Sequence, residues 1–170
     1  MAARNEKSME RARAEEPESL IEILTRVHWE IRCLLREMEQ ILDTSTAIYE
    51  LYPRIRVALE VHAEGEEKAL YEPLSSFPEL KRLLSRGMAA HVEIEQSLHR
   101  LNQKPWRREQ ILSTEWKTEF RVLHRKVLVH IDEQENLLFP ELSRQLAPSR
   151  IEDLGNRYKL GLTGQLGTTQ

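Results

Sequence analysis

The sequence predicts an all-α protein: an up-down-up-down four-helix bundle followed by a short C-terminal helix. Three features carry that prediction. Only six of the 170 residues are glycine, and Leu, Glu, Arg and Lys fill long stretches, a composition that favours helix over strand. Four segments carry apolar residues at steps of three and four, the pattern of a helix with one buried face. The links between these segments are short, which sets successive helices side by side in opposite directions.

The first helix is predicted from about Pro17 to Leu42. Pro17 suits a first turn, and Leu20, Ile21, Leu24, Ile31, Leu34, Leu35, Met38 and Ile41 form the apolar stripe. Asp43-Thr44-Ser45-Thr46 supplies a turn and a cap. The second helix runs from about Ser45 to Tyr71. Pro53 within it predicts either a kink or a start near that residue, and Pro73 discourages continuation. The third reads from Pro78 to Leu101 and ends in Asn102-Gln103-Lys104-Pro105; the fourth reads from Trp106 to Leu146, interrupted near Pro140. A short fifth helix is expected over Ile151 to Tyr158, with Gly161, Gly164 and Gly167 marking a frayed tail. The expected organisation is a flexible segment at 1–15, one bundle over 16–147, and a short helix with a flexible tail over 148–170.

Composition removes several function classes. Charged residues make up 31% and hydrophobic residues 40%, and the net charge of −3 gives no basis for nucleic acid or an anionic membrane as partner. No apolar run approaches the ~20 residues that span a bilayer. Met1 to Glu16 alternates basic and acidic residues without the apolar centre of a secretory signal. Cys33 is the sole cysteine, which excludes an internal disulfide and Cys-rich zinc sites. A cytoplasmic setting is the expectation.

The chain repeats itself. His28-Trp29-Glu30-Ile31 is echoed by His91-Val92-Glu93-Ile94, and HAEGEEKALYEPL (His62 to Leu74) by HIDEQENLLFPEL (His130 to Leu142). Each half is a helix with one inward His followed by a helix with His, acids, Leu, an aromatic residue, Pro and Leu. Two such halves about a pseudo-twofold axis bring four imidazoles and several carboxylates to one level.

Residues four apart share a helix face, so His62 and Glu66 reach one point, as do His91 and Glu95. His130 is followed by Glu133, Gln134 and Glu135 at offsets three, four and five. His28 lies between Leu24 and Ile31 on an apolar stripe. A carboxylate facing a core needs a cation or a proton. Imidazole with carboxylate, and no thiolate, suits iron or manganese better than structural zinc. A lone buried His is usually a hydrogen-bonded core residue; the repeated combination is what points to metal.

These residues resemble the hemerythrin-like, HHE cation-binding family over roughly Leu20 to Leu146. His62-x3-Glu66 with Leu70-Tyr71 downstream, and His130 with Leu138-Phe139-Pro140 downstream, carry the resemblance. It implies two iron ions in a non-heme, oxo- or hydroxo-bridged centre, with manganese or zinc as substitutes. His28, His62, His91 and His130 would then be terminal ligands and Glu66 a bridging carboxylate. Two departures stand out. Many members place Glu four residues after the last-helix His, where this chain has Gln134; the oxygen carriers use Asp at offset five, where it has Glu135. Glu135 is therefore expected as the second bridge, with Glu133 as a rival. The oxygen carriers also have His where this chain has Glu95, which either ligates or hydrogen-bonds a ligand. Such changes would make the site more anionic and weaken the case for reversible oxygen carriage.

The resemblance implies a protein that binds or senses O2, nitric oxide or peroxide, with an unidentified redox partner. A di-iron enzyme reducing peroxide or nitric oxide, iron storage or donation for iron-sulfur repair, and a purely structural bundle are the alternatives. Gly65 reads equally as space for a small ligand or as a tolerated irregularity. Trp29, Tyr71 and Phe139 read as core packing, Cys33 as a small core residue, and His99 and His124 as surface residues.

Overall fold

The computed structural model describes residues 18–44, 46–103 and 113–166, all regular structure among them being helical. Expectations for residues 1–15, for Pro17 and Trp106 as helix starts and for Gly167 lie outside the described residues. No helix among the described residues is long and apolar enough to cross a membrane.

Helix α1 spans Leu20–Ile41. Ser19 caps it reciprocally: the Glu22 amide donates to Ser19 Oγ and the Ser19 amide donates to Glu22 Oε2 at 2.9 Å. Helix α2, Ile48–Glu66, starts before Pro53 and accommodates it. It passes into a π-helical turn, Glu67–Tyr71, and one further turn, Glu72–Leu74. Helix α3 is Lys81–Gln103. Helix α4, Thr114–Glu133, passes into a second π-helical turn, Gln134–Leu138, and then α5, Phe139–Gln145.

The two π turns lie one residue apart in the repeat: the first begins at Glu67, five residues after His62, and the second at Gln134, four residues after His130. Each resets the ladder with a five-residue bond, Glu72 amide to Glu67 carbonyl and Phe139 amide to Gln134 carbonyl. Such turns insert one residue into a helix and rotate the residues beyond it. Pro73 and Pro140 come immediately afterwards, in the first turn of the helical segment that resumes.

The core is divided. One apolar cluster, including Ile31, Leu35, Tyr52, Leu59, Ile94, Phe120 and Val127, fills one end of the bundle. A second, including Leu24, Ala69, Leu84, Leu138, Phe139 and Leu154, fills the other. His28, His62 and His130 each fall between a residue of one cluster and a residue of the other along their own helices. The buried polar groups thus form a layer that interrupts an otherwise apolar interior.

Helix α6 is Pro148–Leu166, longer than the Ile151–Tyr158 the sequence suggests, and Gly161 lies within it. Ile151, Leu154 and Tyr158, at steps of three and four, are buried against the second cluster, so packing holds a segment whose glycines suggest fraying. A Cβ on Gly155 would lie 2.4 Å from the Glu18 carbonyl oxygen; glycine lets α6 cross the start of α1 backbone to backbone. Gly65 has the same kind of role, because a Cβ there would lie 2.5 Å from the Tyr158 ring. It is a seat for α6, which replaces both sequence readings of that residue.

Candidate metal centre

Each of the four long helices delivers one imidazole to the polar layer: His28, His62, His91 and His130. The first, second and fourth are buried, and the His91 side chain is 14% exposed. Ligand atoms of His62, Glu66, His91 and His130 all lie within 4.8 Å of one another. Glu66, fully buried, stands at the middle. Its Oε1 faces His28 Nε2 at 4.0 Å and His62 Nε2 at 3.8 Å. Its Oε2 faces His91 Nε2 at 3.2 Å and His130 Nε2 at 3.8 Å. One carboxylate therefore has an oxygen turned to each pair of imidazoles.

Two neutral groups hold that carboxylate. Gln134 Nε2 donates to Glu66 Oε2 at 2.8 Å and to the Tyr71 hydroxyl oxygen at 3.0 Å, and Tyr71 donates to Glu66 Oε2 at 3.1 Å. Burial, with Glu66 next to it, pushes the Tyr71 hydroxyl well up, so it stays a donor. Burial takes the His62 imidazole down to about 3 and also lowers His28, partly offset by Glu66 and Glu135. Burial by itself would raise the Glu66 carboxyl; the imidazoles around it, His62 foremost and then His130 and His91, bring it well below the usual range.

The layer is not satisfied by its own groups. His28 Nε2, His62 Nδ1 and Nε2, Glu66 Oε1 and Gln134 Oε1 are buried with no hydrogen-bond partner. Each such atom costs about 1–3 kcal/mol, and buried polar groups are normally paired. With the imidazoles neutral, four of the five are acceptors, since one of the two His62 nitrogens carries the ring proton. Cations are what such a set of atoms accepts, and the residues fit metal.

His28 is oriented from outside the layer. Its Nδ1 donates to Glu135 Oε1 at 3.0 Å, leaving Nε2 bare toward Glu66. Arg32 donates to the same Glu135 oxygen at 2.6 Å and to Asp132 Oδ1 at 2.7 Å. A carboxylate behind a ligating imidazole fixes its tautomer and raises its basicity. Phe139 stacks on the His28 ring at 5.7 Å, while Tyr71 meets the His91 ring edge-on at 5.3 Å. A Cβ on Gly87 would lie 2.3 Å from the Tyr71 hydroxyl, so this glycine makes the room that the phenol needs.

A groove of about 630 Å³ between α2 and α3 reaches the centre, with His62, His91 and His130 in its wall. Glu64, Glu67 and Glu95 line it as well.

Of the residues expected from the sequence, His28, His62, Glu66, His91 and His130 come together. Glu135, expected as the second bridge, bonds His28 Nδ1 and Arg32 on the α1 side, because five residues turn a helix about 140° beyond His130. Glu133 pairs with Arg86 at the surface. Glu95 is exposed in the groove wall, outside the inner set. Among the described residues the inner cluster holds a single carboxylate, Glu66. Trp29 is 64% exposed rather than packed in the core, being rotated about 100° from buried His28. Cys33 is only partly buried, and His124 is half-buried beside Glu39. Sequence reasoning missed Gln134 and Tyr71 as members of the site. The signal was present: Gln134 sits at the repeat position of Glu66, and Tyr71 nine residues after His62.

A family model, the hemerythrin HHE cation binding domain, matches residues 19–142. No curated protein and no solved structure matches the chain.

Proposed function

Because the chain belongs to the hemerythrin HHE cation-binding family, we propose that it is a non-heme di-iron protein that binds or senses O2 or a related small molecule such as nitric oxide or peroxide. The observation that carries this reading is the division of Glu66: Oε1 toward His28 and His62, Oε2 toward His91 and His130. Glu66 with His28, His62, His91 and His130 would hold the ions. Iron there would supply electrons and open coordination positions for a small ligand.

The chain's own groups would do the rest. Glu135 and Arg32 hold His28 with Nε2 inward. Tyr71 and Gln134 keep Glu66 Oε2 in place. Gln134 is neutral, so much of the ions' charge stays uncompensated, which favours ligands that gain negative charge. The apolar clusters on both sides limit water to the groove. The reading takes residues 16–147 as an up-down-up-down bundle, with α6 as its cap and a cytoplasmic setting. The ion pairs Arg86–Glu133, Lys126–Glu93 and Arg100–Glu119 support the antiparallel course of α3 and α4, since numbers rise along α3 as they fall along α4.

Metal analysis of the protein purified without added metal tests the proposal. The expected content is about two iron atoms per chain, with a near-ultraviolet band that bleaches on reduction and returns in air. Zinc alone, or no metal, overturns it, as does unchanged iron loading in Glu66→Ala.

A further inference from the structure

The two halves of the repeat differ where they flank the centre. In one, Arg32 lies four residues after His28, and Asp132 and Glu135 lie two and five residues after His130. Arg32 bonds both acids and straps α1 to α4. In the other, the same offsets from His91 and His62 give Glu95, Glu64 and Glu67. The cation has become a third carboxylate, no strap can form, and these three residues line the groove between α2 and α3. Among the described residues that line it there is no Lys or Arg; Lys68 pairs with Glu64 along their own helix.

A separate feature gives the groove a destination. His62 is 3% exposed, has neither ring nitrogen partnered, and forms part of the groove wall. We propose that the α2–α3 groove is the route by which a divalent cation reaches the buried imidazoles, with Glu67 and Glu95, aided by Glu64, collecting it at the mouth. Carboxylates lining a cleft raise the local concentration of a cation and its rate of arrival, and salt weakens the effect. The inference rests on the metal-centre reading and concerns how the centre is filled, not what it does when full.

Uptake of Fe(II) by the metal-free full-length chain under argon tests it, with bound iron followed in time by quenching into a ferrous chelator. The double variant Glu67→Gln/Glu95→Gln should load about tenfold more slowly at low salt, reach the wild-type iron content, and lose its difference from wild type as salt is raised. Glu95→Arg, which restores the charge pattern of the strapped seam, should load more slowly still. The control Glu37→Gln/Glu50→Gln, with the same charge change on exposed residues elsewhere, should load at the wild-type rate. Equal rates in the groove variants and wild type, equal slowing in the control, or a lowered final iron content in the groove variants would each overturn the route. Failure of the wild type to take up iron would instead overturn the metal-centre reading, and the route with it.

Discussion

The seam between α1 and α4 and the seam between α2 and α3 are copies of one plan that ended in opposite states. The first is laced along its length: Arg32 with Asp132 and Glu135, Arg121 with Glu39 and Asp43, Lys117 with Asp43. The second joins near one end through Tyr52 and Asn102, at 3.0 Å, and through Tyr71 over Gly87, with the groove between. Both deliver two imidazoles to the same layer. What the repeat preserves is the inward face; what it has let diverge is the charge beside it, and that charge decides which flank is sealed and which is reachable. Individual ion pairs of this exposed kind are worth about 0.2–1 kcal/mol each, so their weight lies in closing a seam rather than in global stability.

The sharpest way to break the comparison is to make the halves chemically equal. Gln134→Glu places a second carboxylate 2.8 Å from Glu66, a buried like-charge pair. The metal-free protein should lose about 3–5 kcal/mol, the scale of an uncompensated buried charge, and iron should restore most of it. Denaturant unfolding with and without Fe(II) measures both; unchanged stability without metal would mean that Gln134 is not where the site places it.

A smaller effect is expected from Gly87→Ala, which answers to Leu24 in the other half, both lying four residues before the helix's His. The added Cβ meets the Tyr71 hydroxyl and should cost about 1–3 kcal/mol as overpacking. Combining it with Tyr71→Phe should recover part of the loss, because that removes the atom in the way. A double variant as unstable as the sum of its parts would locate the clash elsewhere. The difference between the halves is then one of matched pairs, Tyr71 with Gly87 and Phe139 with Leu24.

The smallest and most selective effect separates Glu135 from its repeat partner Glu67. Glu135→Ala should weaken equilibrium iron binding about 10–100-fold, the usual cost of losing a group behind a ligating imidazole, while Glu67→Ala should leave affinity near wild type. Chelator competition reads the two side by side. Equal losses would mean that neither acts through His28.

The legible part of the molecule is the part that spacing encodes. Apolar steps of three and four placed α1 to α3 to within a few residues, and the repeat picked out His28, His62, His91, His130 and Glu66, because a regular helix carries each of them a whole number of turns along one face. Offsets alone did not place Glu135, Gln134 and Glu95. Offset five at Glu135 leaves the inward face, and a π turn begins at Gln134. Whether an acid beside a ligand becomes a bridge, a support or a groove wall depends on the helix opposite it. Nothing near Glu135 in the chain announces Arg32, 103 residues away.

By itself the sequence determined the helices, the inward imidazoles and one central carboxylate, since these depend only on local periodicity and on repetition. Tertiary structure alone decided that Gln134 faces Glu66, that Glu135 supports His28, that Gly65 seats Tyr158 and that one flank stays open. The physical reason is that each of those outcomes is a meeting between separate helices, set by packing and by the charge each helix finds across from it.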